Sequence, residues 1–196
     1  PLFVANTHTQ LLFFTTEGMV YKLKTWRLPL GGRTARGKAI VNLLDFADGE
    51  RMTAVLAVPS FEPGLNILMA TRQATVKKTD LMAFSRPRTG GIIALNLAEG
   101  DELIAVKLSD GTQNVFLGTA MGKSIRFHES DIRASGRIAR GVRGMNLAAG
   151  DRVVGMEVLQ HGQTLFTVTE NGYGKRTSID EYPIHRRGGK GVITIK

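Results

Sequence analysis

The chain has no cysteine. That excludes disulfides and thiolate metal sites and fits a reducing compartment. Long apolar runs are missing too: none approaches the roughly 20 residues that a membrane-spanning helix needs. Pro1-Leu2-Phe3-Val4 enters directly into a strand pattern, so no signal peptide is read at the start. No long segment repeats its apolar residues at a period of about 3.6, which argues against helices and for an all-β chain. The four histidines, His8, His128, His161 and His185, lack ligand spacing and default to structural or solvated roles. Aromatics are scarce, at 7% of residues, with a single tryptophan, Trp26, near Lys22, Lys24 and Arg27. Negative charge is the scarcer sign: 17 Asp and Glu stand against 26 Lys and Arg, a net charge of +9. Such a balance favours nucleic acid or an anionic membrane surface over an acidic small molecule.

What the chain does have is repetition. Its 196 residues, 42% of them hydrophobic, suffice for one or two globular domains. A basic glycine phrase occurs four times: Arg33-Thr34-Ala35-Arg36-Gly37, Arg86-Pro87-Arg88-Thr89-Gly90-Gly91, Arg137-Ile138-Ala139-Arg140-Gly141 and Arg187-Gly188-Gly189-Lys190-Gly191. Anchored on Gly37, Gly91, Gly141 and Gly191, the steps are 54, 50 and 50 residues. Self-similarity at this period signals a repeat architecture.

Each repeat opens with an apolar run, at Leu11–Phe14, Ile67–Ala70, Val115–Gly118 and Leu165–Val168, followed by Thr15, Thr71, Thr119 or Thr169. Three residues on stands a turn residue: Gly18, Ala74, Gly122 or Gly172. Glycine there supplies the positive φ of a tight hairpin, so Ala74 is expected to use another turn geometry. Seven residues after the threonine sits a base, Lys22, Lys78, Arg126 or Arg176, placed on the return strand of the hairpin. The basic box comes next and feeds a third strand, over Ala39–Leu43, Ile92–Leu97, Val142–Leu147 and Val192–Ile195; Asn42, Asn96 and Asn146 recur in it, with Lys196 in the last slot. Acidic turns at Asp48-Gly49-Glu50, Glu99-Gly100-Asp101 and Gly150-Asp151 lead into a fourth strand, over Met52–Val58, Leu103–Lys107 and Val153–Val158.

Short strands in fours, with turns between, predict propeller-like blades. With a leading strand at Leu2–Ala5 the count is sixteen strands, or about four visible four-stranded blades near residues 2–52, 53–104, 105–154 and 155–196. The chain opens on a fourth-type strand and stops on a third-type strand. Strand exchange between blades, and a fragment of a larger array, both account for that register.

The stretches Arg33–Leu44, Ser85–Ala98, Arg133–Gly150 and Tyr182–Lys196 contain no acid. Equivalent loops of a repeat array lie on equivalent sides, so the boxes are expected to form one basic track with the acids displaced from it. Arginine offers a planar donor fork for phosphate, and box glycines could aim N–H groups at anions. No recognition helix or zinc finger is present to read bases; contacts to phosphate and DNA bendability are expected instead. Gly118-Thr119-Ala120-Met121-Gly122-Lys123-Ser124 resembles a nucleotide loop, but it is one residue short between the glycines and falls on a hairpin turn. The threonines repeat with the fold and pair with no base. Phe13, Phe14, Phe116 and Phe166 occupy core positions.

Several stretches resemble the C-terminal DNA-wrapping domain of the DNA gyrase A protein. They are Leu2-Phe3-Val4-Ala5-Asn6-Thr7-His8, the run from Arg33 to Leu44, the run from Ser85 to Ala94, and Glu170 to Thr177. That family's hallmark heptapeptide, Gln-Arg-Arg-Gly-Gly-Lys-Gly, is matched at six of seven positions by His185-Arg186-Arg187-Gly188-Gly189-Lys190-Gly191. The resemblance implies a β-pinwheel of about six blades, a propeller variant whose blades exchange strands. The opening repeat is similar to the family's second blade, which sets the hallmark blade upstream and a closing blade downstream.

The resemblance further implies a positively charged rim that bends duplex DNA, so that ATP-driven strand passage by a type II topoisomerase yields negative supercoils. Phosphate contact carries over directly to Arg186, Arg187 and Lys190. By repeat position it extends to Arg33, Arg36 and Lys38, to Arg86 and Arg88, to Arg137, Arg140 and Arg143, and to the bases Lys22, Lys78, Arg126 and Arg176. Gly37, Gly91, Gly141, Gly188, Gly189 and Gly191 shape the boxes. The implied partners are double-stranded DNA, the remainder of the gyrase A protein and, through it, the ATPase subunit, in the bacterial cytoplasm with the nucleoid; no cofactor and no membrane are implied.

The module is read as non-catalytic: Tyr21, Tyr173 and Tyr182 lie in no recognisable cleavage context, and no acid, histidine or metal constellation suggests a propeller enzyme. The competing readings are the related domain of topoisomerase IV, whose boxes are usually more degenerate, and a propeller scaffold for protein partners.

Overall fold

The recurring threonine and turn residue explain how each repeat begins. In the computed structural model, which describes residues 3–195, the threonine hydroxyl accepts a hydrogen bond from the backbone N–H four residues on. The pairs are Met19 to Thr15 at 3.3 Å, Thr75 to Thr71 at 3.1 Å, Lys123 to Thr119 at 3.2 Å and Tyr173 to Thr169 at 3.2 Å. The turn residue takes positive φ at Gly18 (74°), Gly122 (77°) and Gly172 (83°), and at Ala74 too (64°). The expectation that Ala74 uses a different turn is therefore corrected. Alanine carries the left-handed strain, of order 1 kcal/mol, while its methyl group is fully buried in the core.

Repeat one contributes β1 (Gln10–Thr15), β2 (Met19–Lys24) and β3 (Met52–Val58). Repeat two adds β4 (Asn66–Thr71), β5 (Thr75–Asp80), β6 (Ile92–Ile93) and β7 (Leu103–Ser109). Repeat three adds β8 (Asn114–Thr119), β9 (Lys123–His128), β10 (Val142–Arg143) and β11 (Val153–Leu159). Repeat four ends the series with β12 (Thr164–Val168), β13 (Gly174–Ser178) and β14 (Val192–Ile193). All pairings between these strands are antiparallel. The architecture is the all-β, propeller-type arrangement expected.

The sheets are not contiguous in sequence. Their orders are β3-β1-β2-β6, β10-β5-β4-β7 and β11-β8-β9-β14, with a two-stranded sheet β12-β13. Each full blade thus takes its last strand from the following repeat. That strand is short, because only two residues reach the neighbour's edge: Ile92 and Ile93 pair with Val20 and Met19, Val142 and Arg143 with Val76 and Thr75, Val192 and Ile193 with Ser124 and Lys123. The predicted third strands are accordingly trimmed to two residues. In the first repeat no such strand forms: Ile40–Asn42 is a 3-10 turn. Phe3–Ala5 is not a strand either; Pro1, Leu2 and Lys196 lie outside the described residues.

Alternation along the strands places apolar side chains on both faces of each blade, so cores lie between blades. Leu12 and Phe14 of blade one meet Ile67 and Met69 of blade two, with Phe84 and Leu95. Leu68 and Ala70 meet Val115 and Leu117 of blade three. Burying each Leu, Ile or Phe fully contributes roughly 2 kcal/mol. The first face of blade one, Leu11, Phe13 and Leu23, is covered by Leu28, Ile40 and Phe46. In the two-stranded sheet Phe166 and Val168 are exposed, as is Tyr173 in the turn between its strands, so Phe166 departs from its expected core position.

Candidate nucleic-acid interface

The exchanged strand sets where the boxes lie. One edge of each blade is the fourth-type strand: β3 contacts β7 and β7 contacts β11, with Thr53 Oγ1 donating to Leu103 O at 2.9 Å. Glu102 and Glu157 lie on this side, while Asp131 stands at box four, its Oδ2 accepting from Arg187 N at 3.4 Å. Glu102 pairs with Arg72 at 3.1 Å and Arg51 at 3.5 Å, and Glu157 pairs with Lys107 at 2.8 Å. Asp101 and Asp151 accept from the hairpin-turn N–H groups of Gln73 and Met121. The opposite edge is β6, β10 or β14, and the box loop leads directly into it.

Boxes two, three and four are joined to one another. Arg137 Nη1 donates to Ile93 O at 3.2 Å, and fifty residues later Arg187 Nη1 donates to Arg143 O at 3.1 Å. Asn96 Nδ2 reaches Ile138 O at 2.7 Å, Gly188 N reaches Gly144 O at 2.6 Å and Asn146 N reaches Gly189 O at 2.8 Å. Boxes two, three and four therefore form a continuous ribbon on one edge. In box two Pro87 takes the latching slot, leaving Arg86 and Arg88 exposed on either side.

The glycines are required for packing between blades. A Cβ on Gly91 would stand 2.8 Å from the Tyr21 ring, one on Gly141 2.6 Å from Val76 O, and one on Gly191 would run into Ser124 O. All three have positive φ, so the box crosses the return strand of the preceding hairpin where no side chain fits. Gly37 has the same φ region with open space around it. The anion-nest reading is not supported at Gly91 and Gly188, whose N–H groups bond inward to Arg88 O and Gly144 O.

Three of the sequence-predicted contact bases are corrected. Lys22 Nζ donates to Ser85 O at 2.6 Å, Lys78 Nζ to Glu129 O at 2.9 Å, and Arg126 Nη1 to Ile179 O at 2.6 Å and Tyr182 O at 3.2 Å. Lys78 and Arg126 are buried, and Lys78 also pairs with buried Glu129 at 3.7 Å. This recurring base clamps each blade to the 3-10 turn of the next repeat; its periodicity comes from the blade interface. Arg176, in the two-stranded sheet, is exposed.

Arg33, Arg36, Lys38, Arg86, Arg88, Arg140, Arg143, Arg186 and Lys190 are exposed. Among the described residues none of them forms an ion pair with a carboxylate of the chain. Arg137 and Arg187 are half-buried and act mainly as latches. Boxes two, three and four thus present exposed cations, free of ion pairs among the described residues, along one edge, whereas box one, which leads into no exchanged strand, is not joined to that edge.

Two further cations escaped the periodic reading. Exposed Arg133 shares a groove of about 440 Å3 with Lys77, Arg140 and Val142, and half-buried Lys123 shares one of about 280 Å3 with Asn146 and Lys190. Arg133 opens an acid-free stretch, which was its only signal. Lys77 lies beneath box three at 1% exposure. Its ammonium donates to Ala94 O at 2.8 Å and also to Arg137 O, and burial followed by the Arg137 charge pushes its pKa down to about 8.

The family model described as DNA gyrase C-terminal domain, beta-propeller, matches residues 9–59, 65–110, 113–160 and 163–196, one match per repeat. The chain belongs to this family. The DNA gyrase A protein of Salmonella typhimurium is 52% identical over 195 residues, and that of Escherichia coli is 50% identical; each match takes in 100% of this chain and 22% of the relative. The Mycolicibacterium smegmatis protein is 44% identical over 196 residues, 99% of this chain and 23% of its own. The chain thus spans about a fifth of the length of the curated relatives it matches. Among solved structures, the C-terminal domain of DNA topoisomerase IV superposes with a TM-score of 0.88 at 29% identity, over 96% of this chain and 59% of that one. A DNA gyrase A C-terminal domain superposes with a TM-score of 0.81 at 23% identity, over 96% and 60%, a likeness of fold. In the pinwheel so identified, strand exchange and box ribbon are one feature, since the exchanged strand carries the box to its neighbour's edge. No helix among the described residues is long and apolar enough to cross a membrane.

Proposed function

We propose that this chain is a non-catalytic module that wraps duplex DNA around the box edge and gives a gyrase its negative-supercoiling direction. The observation that carries the reading is the hydrogen-bonded ribbon of boxes two to four, whose outward arginines and lysines form no ion pair with a carboxylate among the described residues. A rigid curved row of cations suits a bent polyanion held by its backbone. Smoothly bending a site of 20–30 base pairs by 40–90° costs about 1–6 kcal/mol, which several phosphate contacts offset. The contacts are Arg33, Arg36 and Lys38, Arg86 and Arg88, Arg140 and Arg143, and Arg186 with Lys190; Arg176, Arg133 and Lys123 flank them. Arg137 and Arg187 hold the loops in place.

The remainder of the gyrase A protein, and the ATPase subunit through it, are the partners this reading assigns, in the bacterial cytoplasm at the nucleoid. Duplexes of increasing length, titrated at two salt concentrations, test it. Affinity rises with length until the wrap is complete, and falls steeply with salt. Affinity independent of length defeats wrapping. A second reading, the equivalent module of topoisomerase IV, draws on the superposition with that enzyme's domain. It predicts binding without a linking-number change of fixed sign when a relaxed plasmid is incubated with the chain and a nicking-closing enzyme.

A further inference from the structure

Trp26 is unexplained by the fold. It is 55% exposed, so it adds little to any core, and it is the sole tryptophan of the chain. Its backbone is held rigidly: Trp26 N donates to Thr7 O at 3.0 Å, and Thr25 donates to Thr9 O through both N and Oγ1. The Arg27 guanidinium lies over the indole, 5.3 Å from its centroid, a cation–π geometry that fixes the ring. Together with Lys22, Leu23 and Lys24 these two residues line a groove of about 220 Å3 in which the cations Lys24 and Arg27 flank the indole, Lys22 is engaged with Ser85 O, and no carboxylate takes part. At the same repeat position stand Met82, Ser130 and Asp180, so the feature belongs to one repeat alone and is not demanded by the blade.

Its position matters. Lys22, on the groove wall, reaches Ser85 O, one residue before Arg86 of box two, and the charges of Lys24 and Arg86 both bear on Lys22. On the other side the chain runs through Leu28–Gly32 into box one. Boxes two, three and four are latched in series, whereas among the described residues no hydrogen bond joins box one to box two. The groove lies where the ribbon is interrupted.

We propose that this groove is a second kind of DNA contact, in which Lys24 and Arg27 each hold a phosphate of the duplex and the indole packs against the sugar between them, bridging boxes one and two. The inference rests on the wrapping reading. The charges select a polyanion, and the flat exposed face suits a sugar or base edge better than a bare inorganic anion.

The single tryptophan supplies its own assay: acrylamide quenching of the 196-residue chain, free and saturated with a random-sequence duplex, with saturation checked by mobility shift. Bound DNA is expected to lower the quenching constant several-fold. K24A/R27A should lower the salt slope of binding by about 1.8, the release of two counterions. W26A should weaken binding several-fold at fixed salt and leave the slope unchanged, its circular dichroism matching the parent. A mobility shift with unaltered quenching, or W26A binding as tightly as the parent, overturns the groove assignment and leaves wrapping intact. Absence of any shift at low salt overturns both.

Discussion

Replacing Lys77 by methionine tests the physics beneath box three. An ammonium at 1% exposure with two carbonyl acceptors and no carboxylate is held at a cost, which its pKa of about 8 against the ordinary 10.5 expresses. For a base whose folded-state value is depressed, the unfolded chain binds the extra proton. Stability therefore rises as pH climbs from about 8 towards 10.5, and the gain is lost as pH falls through 8. At about 1.4 kcal/mol per unit, the penalty at pH 7 is roughly 3 kcal/mol; about 1 kcal/mol of it is relieved by pH 9 and roughly 2 by pH 10. Methionine fills nearly the same volume without the charge but leaves Ala94 O and Arg137 O without a donor, at about 1–3 kcal/mol each. The absolute effect at one pH is thus a balance of similar magnitudes, and the pH slope is the clean observable. Tyr21, whose pKa is pushed up to about 12 by burial and by its bond to Glu50, acts in the opposite sense between pH 10 and 12 and is common to both proteins. Urea unfolding at pH 7, 8 and 9 should show the parent gaining about 1 kcal/mol more than K77M across that range. Parallel curves would mean that Lys77 keeps an ordinary amine's proton, and the buried-latch reasoning would be refuted.

Other expectations follow from the same geometry. R126M removes the clamp to Ile179 O and Tyr182 O and should cost about 2 kcal/mol in urea unfolding, while the salt slope of DNA binding stays the same; a flattened slope would return Arg126 to the contact set. R86A/R88A should instead leave stability within about 0.5 kcal/mol and lower that slope by about 1.8, measured by fluorescence anisotropy across salt. G37A, in open space at φ 74°, should cost only about 1–2 kcal/mol of backbone strain. G191A must also displace Ser124 O and Met145, so thermal melting should set the two apart, and equal melting temperatures would contradict the close-approach argument.

The sequence by itself determined whatever recurs locally. A threonine, a turn residue and alternating apolar runs make a hairpin wherever they occur, because the hydroxyl-to-amide bond and the positive φ are satisfied within six or seven residues. The basic ribbon was legible for a similar reason, since equal spacing in a repeat array sends equal loops to one side. What only the tertiary structure decided is which neighbour each segment meets. The box strand pairs with the preceding blade, so its glycine is read by a backbone about 67 residues upstream, as Gly191 is by Ser124. The periodic bases Lys22, Lys78 and Arg126 recur with the same phase as the box arginines, yet they point into the interface between blades. Period alone cannot separate the two sets: a cation that satisfies a carbonyl in the next repeat and one that faces solvent leave the same mark on the chain. Only the direction of the side chain from the sheet, set once the blades stack, tells them apart.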